Sequence, residues 1–172
     1  MVQVLLDRGA AANLVDNLGR TPLHLLTVFE GQHSFEHDSL AVTQLLLENG
    51  TDVNAQDKYN TTPLHLASYY GRVEITRMLL NRGANASAKN ALGLTPLHMV
   101  LRGPYISPED GFGIARLLLE HGAEVNTRDS NGATPLDFAF RYWRMDIASL
   151  LFQYGGEASA RFYPVTVPIH FS

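Results

Sequence analysis

The sequence predicts an all-α solenoid of stacked helix–loop–helix units with β-hairpin-like fingers between them. Three observations predict it. Thr-Pro-Leu-His occurs at Thr21 to His24, Thr62 to His65 and Thr95 to His98, with Thr134-Pro135-Leu136-Asp137 as a fourth variant. An aliphatic run closing on glycine recurs five times, ending at Gly9, Gly50, Gly83, Gly122 and Gly155. The first four of these glycines each stand 12 residues before the next Thr, whereas the return legs take 29, 21, 27 and 21 residues. One connection is therefore invariant and the other carries insertions of eight and six residues, on an underlying period of 33.

Each element has a local cause. In Thr62-Pro63-Leu64-His65, Thr caps a helix whose first residue is Pro, with φ preset and no N–H left unpaired. Ile75, Leu79 and Leu80 give a second helix one apolar face. Gly83 closes that helix in the position that favours positive φ. Asp16 with Gly19, Asp57 with Asn60, Asn90 with Gly93, and Asp129 with Gly132 mark finger turns that need one left-handed residue. Asn at 60 is the residue after Gly that tolerates this best. A single unit cannot bury its apolar face, so the units must stack.

The composition narrows function mainly by exclusion. The chain has 172 residues, 45% of them hydrophobic, enough for one domain with a buried core. Seventeen acidic and 13 basic side chains leave a net charge of −4, and Lys and Arg are dispersed along the chain, which argues against a nucleic-acid partner. No apolar stretch approaches the roughly 20 residues of a membrane span, and the first residues lack a secretory pattern. There is no cysteine, hence no disulfide, thiolate metal site or cysteine nucleophile. An intracellular protein, cytoplasmic or nuclear, is expected. Glycine-rich phosphate loops and Gly-x-Ser-x-Gly are absent, so neither an enzyme nor a cofactor is expected. His33 and His37, with Glu36 between them, have a metal-compatible spacing without a further ligand, and solvated loop residues are the default reading.

A 33-residue period carrying three registered Thr-Pro-Leu-His motifs and a Thr-Pro-Leu-Asp variant resembles the ankyrin repeat, over about residues 2 to 159. The resemblance divides the chain into a half repeat at 1–15, repeats at about 16–56, 57–89, 90–128 and 129–159, and an extended tail at 160–172. It implies that His24, His65 and His98 are structural, bonding backbone around the turn and between repeats. It also implies a concave groove that binds another protein. Alignment on each Thr places there Val28 and Phe29; Lys58, Tyr59, Tyr69 and Tyr70; Leu92, Leu94 and Arg102; and Arg141 and Tyr142. For Tyr69, Tyr70 and Phe29 the alternative is packing between repeats. The function implied is a non-catalytic scaffold or adaptor, monomeric or part of a longer chain. The alternative is the targeting or regulatory portion of a larger enzyme or signalling protein. Some members of the family are hydroxylated on a finger asparagine, and Asn54 and Asn126 fit that pattern. The bland reading is a short side chain bonding its own finger backbone.

The ends and insertions add further expectations. Val2 to Arg8 reads as an outer helix without a partner: a fragment of a longer array is favoured, the alternatives being a partly exposed cap or a helix covered by another molecule. In the tail, Tyr163, Val165, Val167, Ile169 and Phe171 alternate along one side of an extended strand, either a strap over the last repeat or an arm for a partner. The insertions fall near Glu30 to Asp38 and at Gly103 to Gly111, on one edge of the stack, where they serve binding or are neutral length variation. Ser107-Pro108-Glu109-Asp110 predicts an early start for the second helix of its unit.

Overall fold

The computed structural model describes residues 13–28, 34–104 and 106–159, with side chains throughout except at 34–38. Helices α1 (Pro22–Val28), α3 (Pro63–Tyr69), α5 (Pro96–Arg102) and α7 (Pro135–Arg141) each begin one residue after a Thr. Helices α2 (Ser34–Glu48), α4 (Val73–Asn81), α6 (Pro108–Glu120) and α8 (Met145–Gln153) follow them in turn. No strand occurs among the described residues. The first set packs in sequence as an inner row and the second as an outer row, each inner helix also lying against its own outer partner. The core between the rows is aliphatic: Leu64, Leu79, Leu97, Ile114, Leu118, Leu136, Ile147 and Leu151 are fully buried.

The predicted punctuation is present. The hydroxyls of Thr62 and Thr134 accept from the N–H of His65 and Asp137 at 3.4 and 3.3 Å, with Pro at the first helical position. Ser107 caps α6, accepting from Asp110 at 3.0 Å, so that helix does start early. The first insertion differs from the expected loop: α2 already begins at Ser34, so Ser34 to Asp38 belong to a 15-residue helix. The half helix before residue 13, the tail from 160 and residues 29–33 lie outside the described residues.

The fingers are hairpin-like turns. Asp57 Oδ1 accepts from the N–H groups of Tyr59 and Thr61, both at 2.8 Å, and Asn60 takes φ 57°. Neighbouring fingers are joined by one backbone bond each: Lys58 N–H to Leu18, Ala91 N–H to Tyr59, and Ser130 N–H to Leu92, at 2.8–2.9 Å.

Candidate functional site

The three histidines are fully buried and serve the stack. Nδ1 of His24, His65 and His98 accepts from the N–H of Thr21, Thr62 and Thr95, at 3.1–3.2 Å. A carbonyl can only accept, so Nε2 carries the proton and donates to Thr61, Leu94 and Ala133 of the next unit at 2.9, 3.0 and 3.3 Å. Burial lowers all three pKa values, to about 4 for His65 and His98. Neutral imidazole is thus held in one tautomer. In the fourth unit Asp137 replaces His. A carboxylate cannot donate to a carbonyl, and here it accepts from the Thr134 N–H at 2.8 Å and the Ser159 N–H at 2.9 Å.

Asn54 and Asn126 make a second inter-repeat link, and the bland reading of their role needs correction. Their carboxamides bond the following unit and not their own turn. Asn54 Oδ1 accepts from Asn85 N–H at 2.8 Å and its Nδ2 donates to the Gly83 carbonyl at 3.2 Å. Asn126 repeats this with Glu157 N–H at 2.7 Å and the Gly155 carbonyl at 2.9 Å. Asn13 and Ser87 occupy the same place in their units and accept from Asp52 and Glu124. The periodicity that makes these positions equivalent was visible in the sequence, but not the direction of the side chain.

The groove residues are partly brought together. Lys58 and Tyr59 are exposed on one finger, with the ammonium 4.9 Å from the ring centroid. Tyr69 and Tyr70, at the end of α3, are half-buried and meet edge to face at 5.0 Å. Leu92 is exposed at the next finger tip. Leu94 is a correction: at 3% exposure it belongs to the core, because the residue before each Thr is drawn inward to present its carbonyl to the preceding His. Val28 is half-buried, and Phe29 lies outside the described residues.

Arg102, Arg141 and Tyr142 meet Leu92 around a cavity of about 270 Å³, floored by Leu94 and Phe138 and closed by Asp129 to Asn131 of the next finger. The Arg141 guanidinium lies over the Phe138 ring at 5.4 Å, and Phe138 meets His98 edge to face at 5.0 Å and Tyr142 at a tilt at 6.0 Å. This recess combines two exposed arginines with aromatic and aliphatic walls. A second cavity, about 330 Å³, lies at the helix-connecting edge among Arg72, Glu74 and Asp110, where charges are mixed.

Alignment missed one exposed aromatic. Trp143 joins α7 to α8 with φ 57° and is 83% exposed, in the place where the second unit has Gly71 with φ 70°. A bulky residue there is a genuine outlier. Comparison of the two units on their Thr would have found it.

Among the described residues, no cluster of three or more His, Cys, Asp or Glu could hold a metal, and no helix is long and apolar enough to cross a membrane. The His33–His37 pair falls outside the described side chains. Three copies of the ankyrin-repeat family model match, at residues 1–90, 32–128 and 82–161. The chain belongs to the ankyrin-repeat family. Members of that family are in general protein–protein interaction modules, typically without catalysis. No curated protein matches the chain.

Proposed function

We propose that this protein is a non-catalytic scaffold or adaptor whose concave groove, formed by repeats at about 16–56, 57–89, 90–128 and 129–159, holds another protein. The observation that carries this reading is the recess between Leu92, Arg102, Arg141 and Tyr142. It pairs exposed apolar surface with arginine and tyrosine, the residue types that concentrate binding energy at interfaces. Lys58, Tyr59, Tyr69 and Tyr70 extend the surface toward the second repeat.

The test is affinity capture with the intact chain and with the triple variant Tyr59→Ala, Leu92→Ala, Tyr142→Ala. These three side chains are exposed, so the fold is expected to survive, unlike with a substitution at Leu94. Loss of the captured proteins from the variant bait supports the groove. Equal recovery from both baits moves the site to the convex side or the insertions.

A further inference from the structure

The chain is acidic overall, yet five exposed cations lie on its fingers and inner helices. Dispersed in sequence, Lys58, Lys89, Arg102, Arg128 and Arg141 are all exposed and all belong to fingers or to the ends of inner helices. The Lys89 ammonium reaches the Arg128 carbonyl of the next finger at 3.4 Å. Among the finger acids, Asp57 and Asp129 each commit Oδ1 to two backbone N–H groups of their own turn, Asp16 is paired with Arg20 at 2.7 Å, and the exposed Asp52, Glu124 and Glu157 do not line the recess. The exposed acids Glu48, Glu74, Glu109, Asp110, Glu120 and Asp146 lie on the outer helices, together with the exposed Arg77 and Arg116. The recess itself is lined by two arginines and one acid, Asp129.

Arg102 and Arg141 occupy equivalent places on successive inner helices, seven residues after Thr95 and Thr134. Packed helix axes stand roughly 8–10 Å apart, which sets the distance between the two side-chain origins. A chain extended in the polyproline II conformation has three residues per turn and advances roughly 9 Å over them, so side chains three apart share one face. We propose, building on the groove reading, that repeats three and four receive an extended acidic segment of a partner protein. Carboxylates three residues apart sit on Arg102 and Arg141, and an apolar side chain between them enters the recess against Leu92 and Tyr142. Guanidinium pairs with carboxylate through two parallel hydrogen bonds, and the aromatic wall gives the segment an anchor that a bare polyanion would not use. That wall favours a peptide over a nucleic acid.

The test uses the full chain and a fluorescein-labelled 12-residue peptide carrying Glu at every third position with Leu and Ser between, read by fluorescence anisotropy. Its Gln counterpart and a single-stranded oligothymidine of the same length serve as comparators. Binding of the Glu peptide should weaken as salt rises from about 0.05 M to about 0.2 M, as screening requires. It should fall roughly tenfold or more in R102Q/R141Q, with thermal unfolding unchanged, and much less in R102K/R141K, which keeps the charge. Arg116→Gln, on the outer helix α6, should leave it unchanged. Equal binding of the Gln peptide, equal binding by R102Q/R141Q, or tighter binding of the oligothymidine overturns the proposal. If that happens while the Tyr59, Leu92, Tyr142 triple variant still loses its captured proteins, the acidic partner is wrong and the groove stands. If the triple variant loses nothing, the groove reading has failed.

Discussion

His65 Nε2 donates to the Leu94 carbonyl at 3.0 Å, 29 residues further along the chain, so one ring both closes its own turn and fixes the approach of the next repeat. Protonation would place a hydrogen on Nδ1 against the Thr62 N–H. Burial, the larger influence, already disfavours the charge, and the pKa falls to about 4. His98 is held in the same way, also at about 4.

These depressed values make the fold acid-labile. In the unfolded chain histidine titrates near 6.5, so between pH 6.5 and 4 the unfolded state binds more protons and stability falls with falling pH. The contribution is fully present above about 6.5 and lost as pH drops through about 4, on the order of 3 kcal/mol for each of His65 and His98. The Asp16 carboxyl, held at about 2 chiefly by its hydrogen bond from Arg20, acts in a lower window. Thermal unfolding followed by circular dichroism should give a midpoint that climbs from pH 4 to 6.5 and then levels. A flat profile across that interval would show that the rings do not stay neutral when folded.

Two glycine substitutions should act in opposite directions. Gly83 has φ 83° with open space around a Cβ, so Gly83→Val is expected to cost about 1–3 kcal/mol through backbone strain alone. Gly113 lies inside α6, also with open space, and Gly113→Ala should stabilise by about 0.5–1 kcal/mol. Denaturant midpoints compared with the parent decide both signs.

Trp143→Gly should raise the unfolding midpoint. The side chain is 83% exposed and its backbone sits at φ 57°, so little packing is lost and about 1–2 kcal/mol of left-handed strain is relieved, partly offset by the entropy of glycine. A lowered midpoint would mean that the indole makes contacts worth more than that strain.

Asn54→Ala removes an acceptor and a donor shared with the third repeat, and is expected to cost about 1–2 kcal/mol. The same bonds bear on modification. Hydroxylation of Asn54 or Asn126 requires the finger to leave its neighbour, so native protein is expected to show unmodified peptides by mass analysis. A +16 Da shift, the mass of one oxygen, on either peptide would show that a hydroxylating oxygenase reaches them despite these bonds.

The repeat, the helix starts at Pro63, Pro96, Pro108 and Pro135, and the left-handed Asn60 were legible because each depends on local chemistry at a fixed interval. What was not legible depends on which way a side chain turns at an interface. Leu94 reads as a finger-tip residue in linear alignment, but its carbonyl serves His65 and its side chain follows inward. The finger cations Lys89 and Arg128 were missed for a different reason: they stand 39 residues apart, and no local window shows the one reaching the carbonyl of the other. In the tail, Val167-Pro168-Ile169-His170 stands 12 residues after Gly155, the interval that precedes each Thr-Pro-Leu-His, and this register is a more specific signal than the alternation read there. Those residues lie outside the described ones.

The bonds from His65 to Leu94, from Asn54 to Gly83 and Asn85, and from Ala91 to Tyr59 each reach no further than the adjoining unit. Under tension such links carry load in series. The weakest junction yields while the others keep their full complement of bonds, and the chain lengthens in discrete steps. One released period of 33 residues, drawn out fully, adds at most roughly 110 Å before its own folded thickness is subtracted. A partner seated across two units would bridge a junction and stiffen the molecule at that point.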